Sequence, residues 1–176
     1  MAEELNLVFD LDGTLIDSVP QIHAAANILF GNKGFPPLSQ ATIRGFVGNG
    51  LGVLISRSMA HLGIDPDAAL QAELMAGFIR IYEEAFDLTT LYPGVSTALA
   101  DLSAAGHRLA ICTNKPLGPT HAVLQHFDLA RLFPVIIGGD SLPQRKPDPA
   151  PLWAALAALG AGKALFIGDS EVDAET

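Results

Sequence analysis

The chain has 176 residues, of which 49% are hydrophobic and 16% are charged, with a net charge of −9 and one cysteine, Cys112. This composition predicts a packed domain, or a small domain with an insertion, and excludes a disordered chain, a disulfide framework and a basic nucleic-acid-binding surface. Since no stretch has the length of a membrane span and the N-terminus lacks a basic signal-peptide start, we expect a cytoplasmic protein, monomeric or homodimeric, that binds neither nucleic acid nor membranes.

The first predicted element is a buried strand over residues 5–9, which ends in two carboxylates, Asp10 and Asp12. Residues two apart on a strand point to the same face, so we expect these side chains to lie close together. Such a pair repels itself unless a cation lies between the two, and a hard divalent cation with oxygen ligands suits that position. Aspartate and glycine are also common in turns, so this motif alone leaves a turn or a helix cap as the alternative.

A long insertion follows, over residues 17–90, and its pattern is helical throughout. Apolar residues recur there at the spacing of one helix face. Three such stripes are Ile43, Phe46 and Val47; Leu51, Leu54, Ile55, Met59 and Leu62; and Leu70, Leu74, Phe78, Ile81 and Phe86. We therefore expect a helical bundle between two segments of a different domain, residues 1–16 and 91–176.

Three later apolar runs also end in polar residues. The run over residues 109–112 ends in Thr113 and Asn114, the run over 135–137 ends in a Gly-Gly-Asp turn shortly before Lys146, and the run over 164–167 ends in Gly168 and Asp169. Helical patterns separate these runs, and strands alternating with helices predict a parallel sheet. Ligands of such sheets bind at the carboxyl ends of the strands, so we expect these polar residues to meet Asp10 and Asp12 there.

Together these motifs resemble those of the haloacid dehalogenase superfamily of phosphohydrolases, in the same order and over nearly the whole chain. Residues 10–14 match its nucleophile loop, Thr113 its hydroxyl motif, Lys146 its lysine motif, and Asp169 with Asp173 its acidic metal motif. The resemblance implies an α/β fold, with a Rossmann-like parallel-sheet core (residues 1–16 and 91–176) and an inserted α-helical cap (residues 17–90). In this superfamily such a cap closes over the active site and selects the substrate.

Residues 42–50, 113–116 and 137–140 are similar to segments of phosphoglycolate phosphatases. This similarity implies that the substrate is a small anionic phosphate ester, 2-phosphoglycolate. Arg44, the backbone amides of residues 48–50 and Lys115 are candidate contacts for its carboxylate. For Arg44 and for Lys115 the alternative is a solvated side chain, and for the Gly-Asn-Gly segment at 48–50 it is a turn that links two helices.

The resemblance also implies roles for the site residues. Asp10 attacks phosphorus and forms an aspartyl-phosphate, while Asp12, protonated for that step, donates to the leaving oxygen and then takes a proton from water. Mg²⁺ is held by Asp10, the backbone carbonyl of Asp12, and Asp169, with Asp173 orienting the metal shell. Thr113 and the amide of Asn114 bind phosphoryl oxygens, and Lys146 neutralises the negative charge that develops in the transition state.

Five other functions are compatible with parts of this pattern. A haloacid dehalogenase has no need of Asp12, whereas a phosphomutase, or a phosphatase for sugar phosphates or pyrophosphate, shares all of the motifs. A phospho-receiver domain clusters similar residues but lacks a helical insertion of this length. The last alternative is a truncated, inactive phosphate-binding protein, because family members continue with a further helix and strand after Asp173.

Three further expectations concern side chains outside the motifs. We expect Cys112 to be a buried thiol, because it lies within an apolar run. His23 is expected to be half-buried or at the surface, with the cleft as its alternative, and Trp153 to pack in the core. The strand that ends at Asp169 is expected to form an exposed edge of the sheet.

Overall fold

The computed structural model describes residues 4–84 and 86–176, and the chain divides into two compact units. The first unit comprises Met1–Asp17 and Leu91–Thr176, and the second comprises Ser18–Thr90. The strands are β1 (Leu5–Phe9), β2 (Ile16–Asp17), β3 (Thr90–Leu91), β4 (Arg108–Cys112), β5 (Val135–Ile137) and β6 (Lys163–Ile167). The helices are α1 (Val19–Gly31), α2 (Gln40–Arg44), α3 (Leu51–His61), α4 (Ala68–Glu84), α5 (Val95–Ala104), α6 (Leu117–His126), α7 (Ala150–Leu159) and α8 (Glu171–Glu175), with a 3₁₀ turn at Ala130–Leu132.

The first unit is built on a four-stranded parallel sheet with the strand order β5-β4-β1-β6. This sheet confirms the predicted α/β fold class. Phe9, the last residue of β1, lies opposite Ile111 on β4 and Ile167 on β6, so the carboxyl ends of these three strands meet at one edge of the sheet. Strand β6 is an edge strand, and Leu165 on it is 55% exposed.

Helix α7 covers the middle of this sheet with one apolar stripe. Ala155 and Leu159 are buried against Val8, Ala110 and Cys112, and Leu152 and Leu156 pack beside them. The expectation that Cys112 is a buried thiol is confirmed, and burial raises the pKa of this thiol to about 12.

The expectation that Trp153 packs in the core is wrong, because its side chain is 65% exposed. The residues of α7 that pack on the sheet recur at positions 152, 155, 156 and 159, and position 153 lies outside this stripe. A large apolar residue next to a stripe is therefore insufficient evidence that it belongs to the stripe.

In the second unit, helices α1 to α4 pack around one apolar core. The three stripes read from the sequence all belong to it, with Ile43, Ile55 and Leu74 buried to 0–1% exposure. The segment is not helical throughout, however, since residues 32–39 and 45–50 are connections between helices. No helix in the described ranges has the length and apolar character needed to span a membrane.

The connection between α1 and α2 is held by side chains of α1. The Asn27 amide accepts a hydrogen bond from the Leu38 N–H (2.8 Å) and donates one to the Leu38 carbonyl (3.0 Å). Nε2 of His23 lies 2.9 Å from the same carbonyl oxygen. His23 is therefore a half-buried residue that anchors this connection.

The connection between α2 and α3 is a glycine-dependent turn. Gly48 and Gly50 have φ angles of 108° and 85°, which L side chains rarely adopt, and Gly50 immediately precedes the first residue of α3. Arg44, the last residue of α2, is exposed. The Gly-Asn-Gly segment at 48–50 is thus a turn that links two helices, as the alternative interpretation predicted.

The loops that follow β4 and β5 lie backbone against backbone in the first unit. The Gly139 N–H donates to the Lys115 carbonyl at 2.7 Å, and the Asp140 carboxylate accepts a hydrogen bond from the Leu117 N–H, at the start of α6, at 2.7 Å. A Cβ atom added at Gly139 would lie 2.7 Å from the carbonyl carbon of Asn114, closer than real Cβ atoms approach. Glycine is therefore required here by the close approach of the two loops.

We predict that Gly139→Ala lowers the free energy of unfolding by about 1–3 kcal/mol, because the added methyl must push two backbone segments apart. Gly31→Ala is the matched control, since a Cβ atom at Gly31 would meet nothing within 4 Å. Thermal unfolding followed by circular dichroism measures both variants. Equal melting temperatures for the two variants would contradict the steric argument.

Candidate active site

Strand β1 delivers Asp10 to the edge of the sheet. The Asp10 N–H donates to the Ile167 carbonyl at 2.9 Å, which extends the pairing of β1 with β6 by one residue, and the residue is only 6% exposed. The chain then turns at Gly13, whose φ is 90° and whose N–H donates to the Ile16 carbonyl. A Cβ atom at Gly13 would lie 2.7 Å from Cγ of Asp169, so glycine also makes room for that carboxylate.

Lys146 lies between two buried carboxylates. Its Nζ is 3.1 Å from Oδ1 of Asp10 and 2.5 Å from Oδ1 of Asp173. The lysine side chain is 1% exposed, and its ammonium lies 5.3 Å from the centre of the Phe166 ring. The two carboxylates compensate for the loss of hydration of this buried ammonium.

The pKa values of these three groups reflect burial and mutual attraction. Burial raises the pKa of Asp10 to about 6, although Lys146 works in the opposite direction and the Asp173 charge adds to the increase. Burial works to lower the pKa of Lys146, but Asp10 and Asp173 together raise it above its ordinary value. The pKa of Asp173 lies below its ordinary value because hydrogen bonds from Lys146 and Ser170 outweigh the effect of burial.

Asp173 is held at the start of α8 by a capping box with Ser170. Its Oδ2 accepts hydrogen bonds from the Ser170 hydroxyl (2.6 Å) and N–H (3.1 Å), and the Ser170 hydroxyl in turn accepts one from the Asp173 N–H. Ser170 was not among the residues selected from the sequence. The signal for it was the Ser-x-x-Asp spacing at a helix start, which is typical of such boxes.

Three carboxylates in this part of the first unit are close enough to share a metal ion. One oxygen each of Asp10, Asp169 and Asp173 lies within 4.8 Å of the others. Asp169 is exposed and accepts a hydrogen bond from the Thr14 hydroxyl at 2.9 Å, a positioning contact that the sequence interpretation had not assigned. Oxygen donors of this type fit a hard divalent cation, which would also offset the cost of a charged, buried Asp10.

The structure gives Asp12 a different environment from Asp10. Its two carboxylate oxygens lie 3.1 and 3.3 Å from Nζ of Lys115, and the pair is largely buried, with side-chain exposures of 13% and 6%. Each of these two carboxylates therefore faces its own lysine. The alternative of a solvated Lys115 is wrong.

The remaining sequence-selected residues follow β4. Thr113 and Asn114 are buried, at 4% and 6% exposure, and a hydrogen bond from the Thr113 side chain contributes to lowering the pKa of Asp10. The Asn114 amide donates to the Lys146 carbonyl at 3.0 Å, which connects the loops after β4 and β5. The structure thus brings Asp10, Thr113 and Lys146 into direct contact, with Asn114 bonded to the backbone of the lysine.

A parallel α/β sheet that presents a buried aspartate, a lysine and a carboxylate cluster at its carboxyl edge defines a class of hydrolase. Residues 7–176 match the model of the haloacid dehalogenase-like hydrolase family. The chain belongs to this family.

Relatives within the family are phosphatases by name. The chain is 53% identical over 171 residues to a phosphoglycolate phosphatase from Cereibacter sphaeroides, and the match covers 97% of this chain and 78% of that protein. A crystal structure of a predicted phosphoglycolate phosphatase from Haemophilus somnus matches with a TM-score of 0.90 and 32% identity, covering 98% of this chain and 80% of the other. CbbY from Rhodobacter sphaeroides, crystallised in complex with phosphate, matches with a TM-score of 0.84 and 26% identity over 97% and 80% of the two chains.

These relatives and the family membership indicate that the protein is a phosphatase. Hydrolases of this family generally use a divalent metal, and the cluster around Asp10 is the group of carboxylates in the described residues that could hold one.

The raised pKa of Asp10 predicts a pH-dependent effect of Asp10→Asn on stability when EDTA removes divalent cations. Above pH 6 the wild-type carboxyl is ionised at the cost of its burial, and this penalty disappears as the pH falls through 6 toward 3.8. We therefore expect the variant to be more stable than wild type at pH 8, by about 1–3 kcal/mol, with the difference shrinking between pH 6 and pH 4. Urea unfolding at several pH values measures it.

The exposed residue Asp65 supplies the control for this experiment, because Asp65→Asn removes a carboxylate that is not buried. The control is expected to change stability little at any pH. A stability difference for Asp10→Asn that stays constant between pH 8 and pH 4 would contradict the assigned cause.

Proposed function

We propose that this protein is a magnesium-dependent phosphomonoesterase that hydrolyses 2-phosphoglycolate to glycolate and phosphate through an aspartyl-phosphate. The observation that carries the proposal is the arrangement around Asp10, a buried carboxylate in contact with Lys146 and Thr113 and next to further carboxylates. A buried carboxylate with a raised pKa is unfavourable for folding, and such groups concentrate at functional sites.

In the first step, a carboxylate oxygen of Asp10 attacks phosphorus as the nucleophile. The new bond joins that oxygen to phosphorus, and the bond between phosphorus and the ester oxygen breaks. The leaving alkoxide takes a proton from the Asp12 carboxyl, which acts as the general acid. Asp12 follows Asp10 by two residues and immediately precedes the turn closed by the Gly13–Ile16 hydrogen bond, so the same loop presents both groups.

In the second step, water attacks the phosphorus of the aspartyl-phosphate. The Asp12 carboxylate, now deprotonated, takes a proton from this water, and the bond between phosphorus and the Asp10 oxygen breaks. Inorganic phosphate leaves, and Asp10 and Asp12 return to their initial states. One residue thus serves as acid in the first step and as base in the second.

The charge of the transferring phosphoryl group is balanced by residues around Asp10. Lys146 already contacts Asp10 and is anchored on its other side by Asp173, so its ammonium needs little reorganisation as negative charge shifts to the phosphoryl oxygens. We propose that the Thr113 hydroxyl and the Asn114 N–H donate hydrogen bonds to these oxygens. Loss of one such donor is expected to raise the barrier by about 2–4 kcal/mol.

The proposed Mg²⁺ site consists of a carboxylate oxygen of Asp10, the backbone carbonyl of Asp12, and Asp169. Asp173 fits a supporting role better than that of a ligand, because Lys146 and Ser170 already occupy its two oxygens. Magnesium prefers carboxylate oxygens combined with substrate phosphate. When bound, it would supply positive charge that stabilises the phosphoryl oxygens during transfer.

The choice of 2-phosphoglycolate is supported by the name of the relative from Cereibacter sphaeroides, which matches 97% of this chain at 53% identity. We further propose that the helical second unit, residues 18–90, is the substrate-selecting cap. Arg44 at the end of α2 is its candidate contact for the glycolate carboxylate, since this guanidinium is exposed.

Phosphate release from a panel of esters tests the proposal. We expect magnesium-dependent turnover with 2-phosphoglycolate preferred over sugar phosphates, nucleotides and pyrophosphate. Asp10→Asn is expected to abolish turnover, because an amide oxygen is too weak a nucleophile to form the intermediate. EDTA is expected to suppress the wild-type activity, and added Mg²⁺ to restore it.

The exposed variant Asp65→Asn provides the matched control and is expected to retain wild-type activity. Preference for a different ester would retain the mechanism and reject the substrate. A folded wild-type protein that releases no phosphate from any ester would reject the proposed function as a whole.

A further inference from the structure

The first unit contains a second buried lysine, Lys115, which the proposed steps do not use. Its Nζ lies 3.1 and 3.3 Å from the two carboxylate oxygens of Asp12, and the residue is 8% exposed. The contact is bidentate, since a single ammonium contacts both oxygens of one carboxylate. Such a contact restricts the rotation of the Asp12 side chain as well as its translation.

The backbone that carries Lys115 is fixed from three sides. The Lys115 N–H donates to the Thr113 hydroxyl oxygen at 3.2 Å, and its carbonyl accepts a hydrogen bond from the Gly139 N–H at 2.7 Å. The Thr120 hydroxyl, on the first turns of α6, lies 3.5 Å from the same carbonyl. The lysine therefore projects from a rigid support, a property that a positioning residue requires.

The burial of the Lys115–Asp12 ion pair costs free energy, and a functional role would explain why the protein keeps it. Moving an ammonium and a carboxylate out of water costs several kcal/mol for each ion, and a buried ion pair often stabilises a protein less than apolar residues of the same volume would. Lys146 already compensates for Asp10 and Asp173. Lys115 is therefore not needed for the charge balance of those carboxylates, and it forms an ion pair with Asp12.

We propose that Lys115 is a positioning residue for Asp12 and holds the carboxylate of this acid–base group in the orientation needed for proton transfer. This inference rests on the proposed function and deepens it. The two lysines then have separate roles. Lys146 contacts the nucleophile Asp10, and Lys115 positions the acid–base group Asp12. The sequence predicted instead that Lys115 contacts the substrate carboxylate, and this role is the competing assignment.

The proposal predicts that the two chemical steps respond differently to loss of Lys115. With p-nitrophenyl phosphate the leaving p-nitrophenolate needs no proton, so the first step does not depend on Asp12. Hydrolysis of the aspartyl-phosphate still requires Asp12 as a base. A defect in the position of Asp12 must therefore slow the release of phosphate without slowing the release of p-nitrophenolate.

Single-turnover kinetics with enzyme in excess over p-nitrophenyl phosphate, in the presence of Mg²⁺, separates these steps. For Lys115→Met, which keeps the length of the side chain and removes its charge, we expect p-nitrophenolate release within about twofold of wild type. Phosphate release is expected to slow by roughly 10- to 100-fold, the range typical of a misplaced catalytic group. Lys115→Gln, which retains a hydrogen-bond donor, is the second variant if Lys115→Met does not fold.

Asp12→Asn and the double variant Lys115→Met/Asp12→Asn test whether the lysine acts through Asp12. If it does, the lysine substitution adds no further loss once Asp12 is changed, whereas independent roles give multiplied losses. Lys33→Met removes the lysine of the exposed Lys33–Glu73 ion pair in the second unit and serves as the matched control. It is expected to leave both rates unchanged.

Four outcomes would overturn the proposal. Equal slowing of both products would assign Lys115 to phosphoryl binding or to general stability. Unchanged rates with p-nitrophenyl phosphate, together with a raised KM and unchanged kcat for 2-phosphoglycolate, would assign it to the substrate carboxylate. A folded wild-type protein that releases neither product would reject the proposed function, and the role of Lys115 with it, whereas an active wild type with an unaffected variant rejects the role alone.

Discussion

The structure at the carboxyl edge of the sheet depends on the contact of one buried ammonium with two buried carboxylates. Lys146 lies 3.1 Å from Asp10 and 2.5 Å from Asp173, and none of the three is more than 7% exposed. Removing the lysine would leave two carboxylates uncompensated in a region that water does not reach, whereas removing Asp10 would leave the Lys146–Asp173 pair. This contact also connects the segments that follow β1 and β6 to the loop before α7. The residues of the candidate active site therefore also hold these parts of the fold together.

The same edge of the sheet requires backbone segments to approach each other very closely. A Cβ atom at Gly13 would reach Asp169, and one at Gly139 would reach the backbone of Asn114. Glycines at these two positions therefore set the positions of two loops that carry polar side chains. A hydroxyl contact from Thr14 and a capping box with Ser170 then orient Asp169 and Asp173, which follow β6.

Much of the fold could be predicted because its patterns are local. Strand ends that carry polar residues, and apolar stripes at helical spacing, follow from the geometry of one element at a time, and the parallel sheet and the helical core of the second unit agree with them. Trp153 was misplaced because its neighbours in sequence pack on the sheet while its own position on α7 points elsewhere. A stripe defines a face, but the edges of that face depend on the elements packed against it.

The sequence by itself determined the residue types at the strand ends and, through their order, the family resemblance. Only the tertiary structure decided how the charges pair. Lys115 and Lys146 are 31 positions apart, and no local pattern indicates that the first meets Asp12 and the second meets Asp10 and Asp173. These pairings depend on the register of three parallel strands and on the close approach of two glycine loops, which are long-range properties of the folded chain.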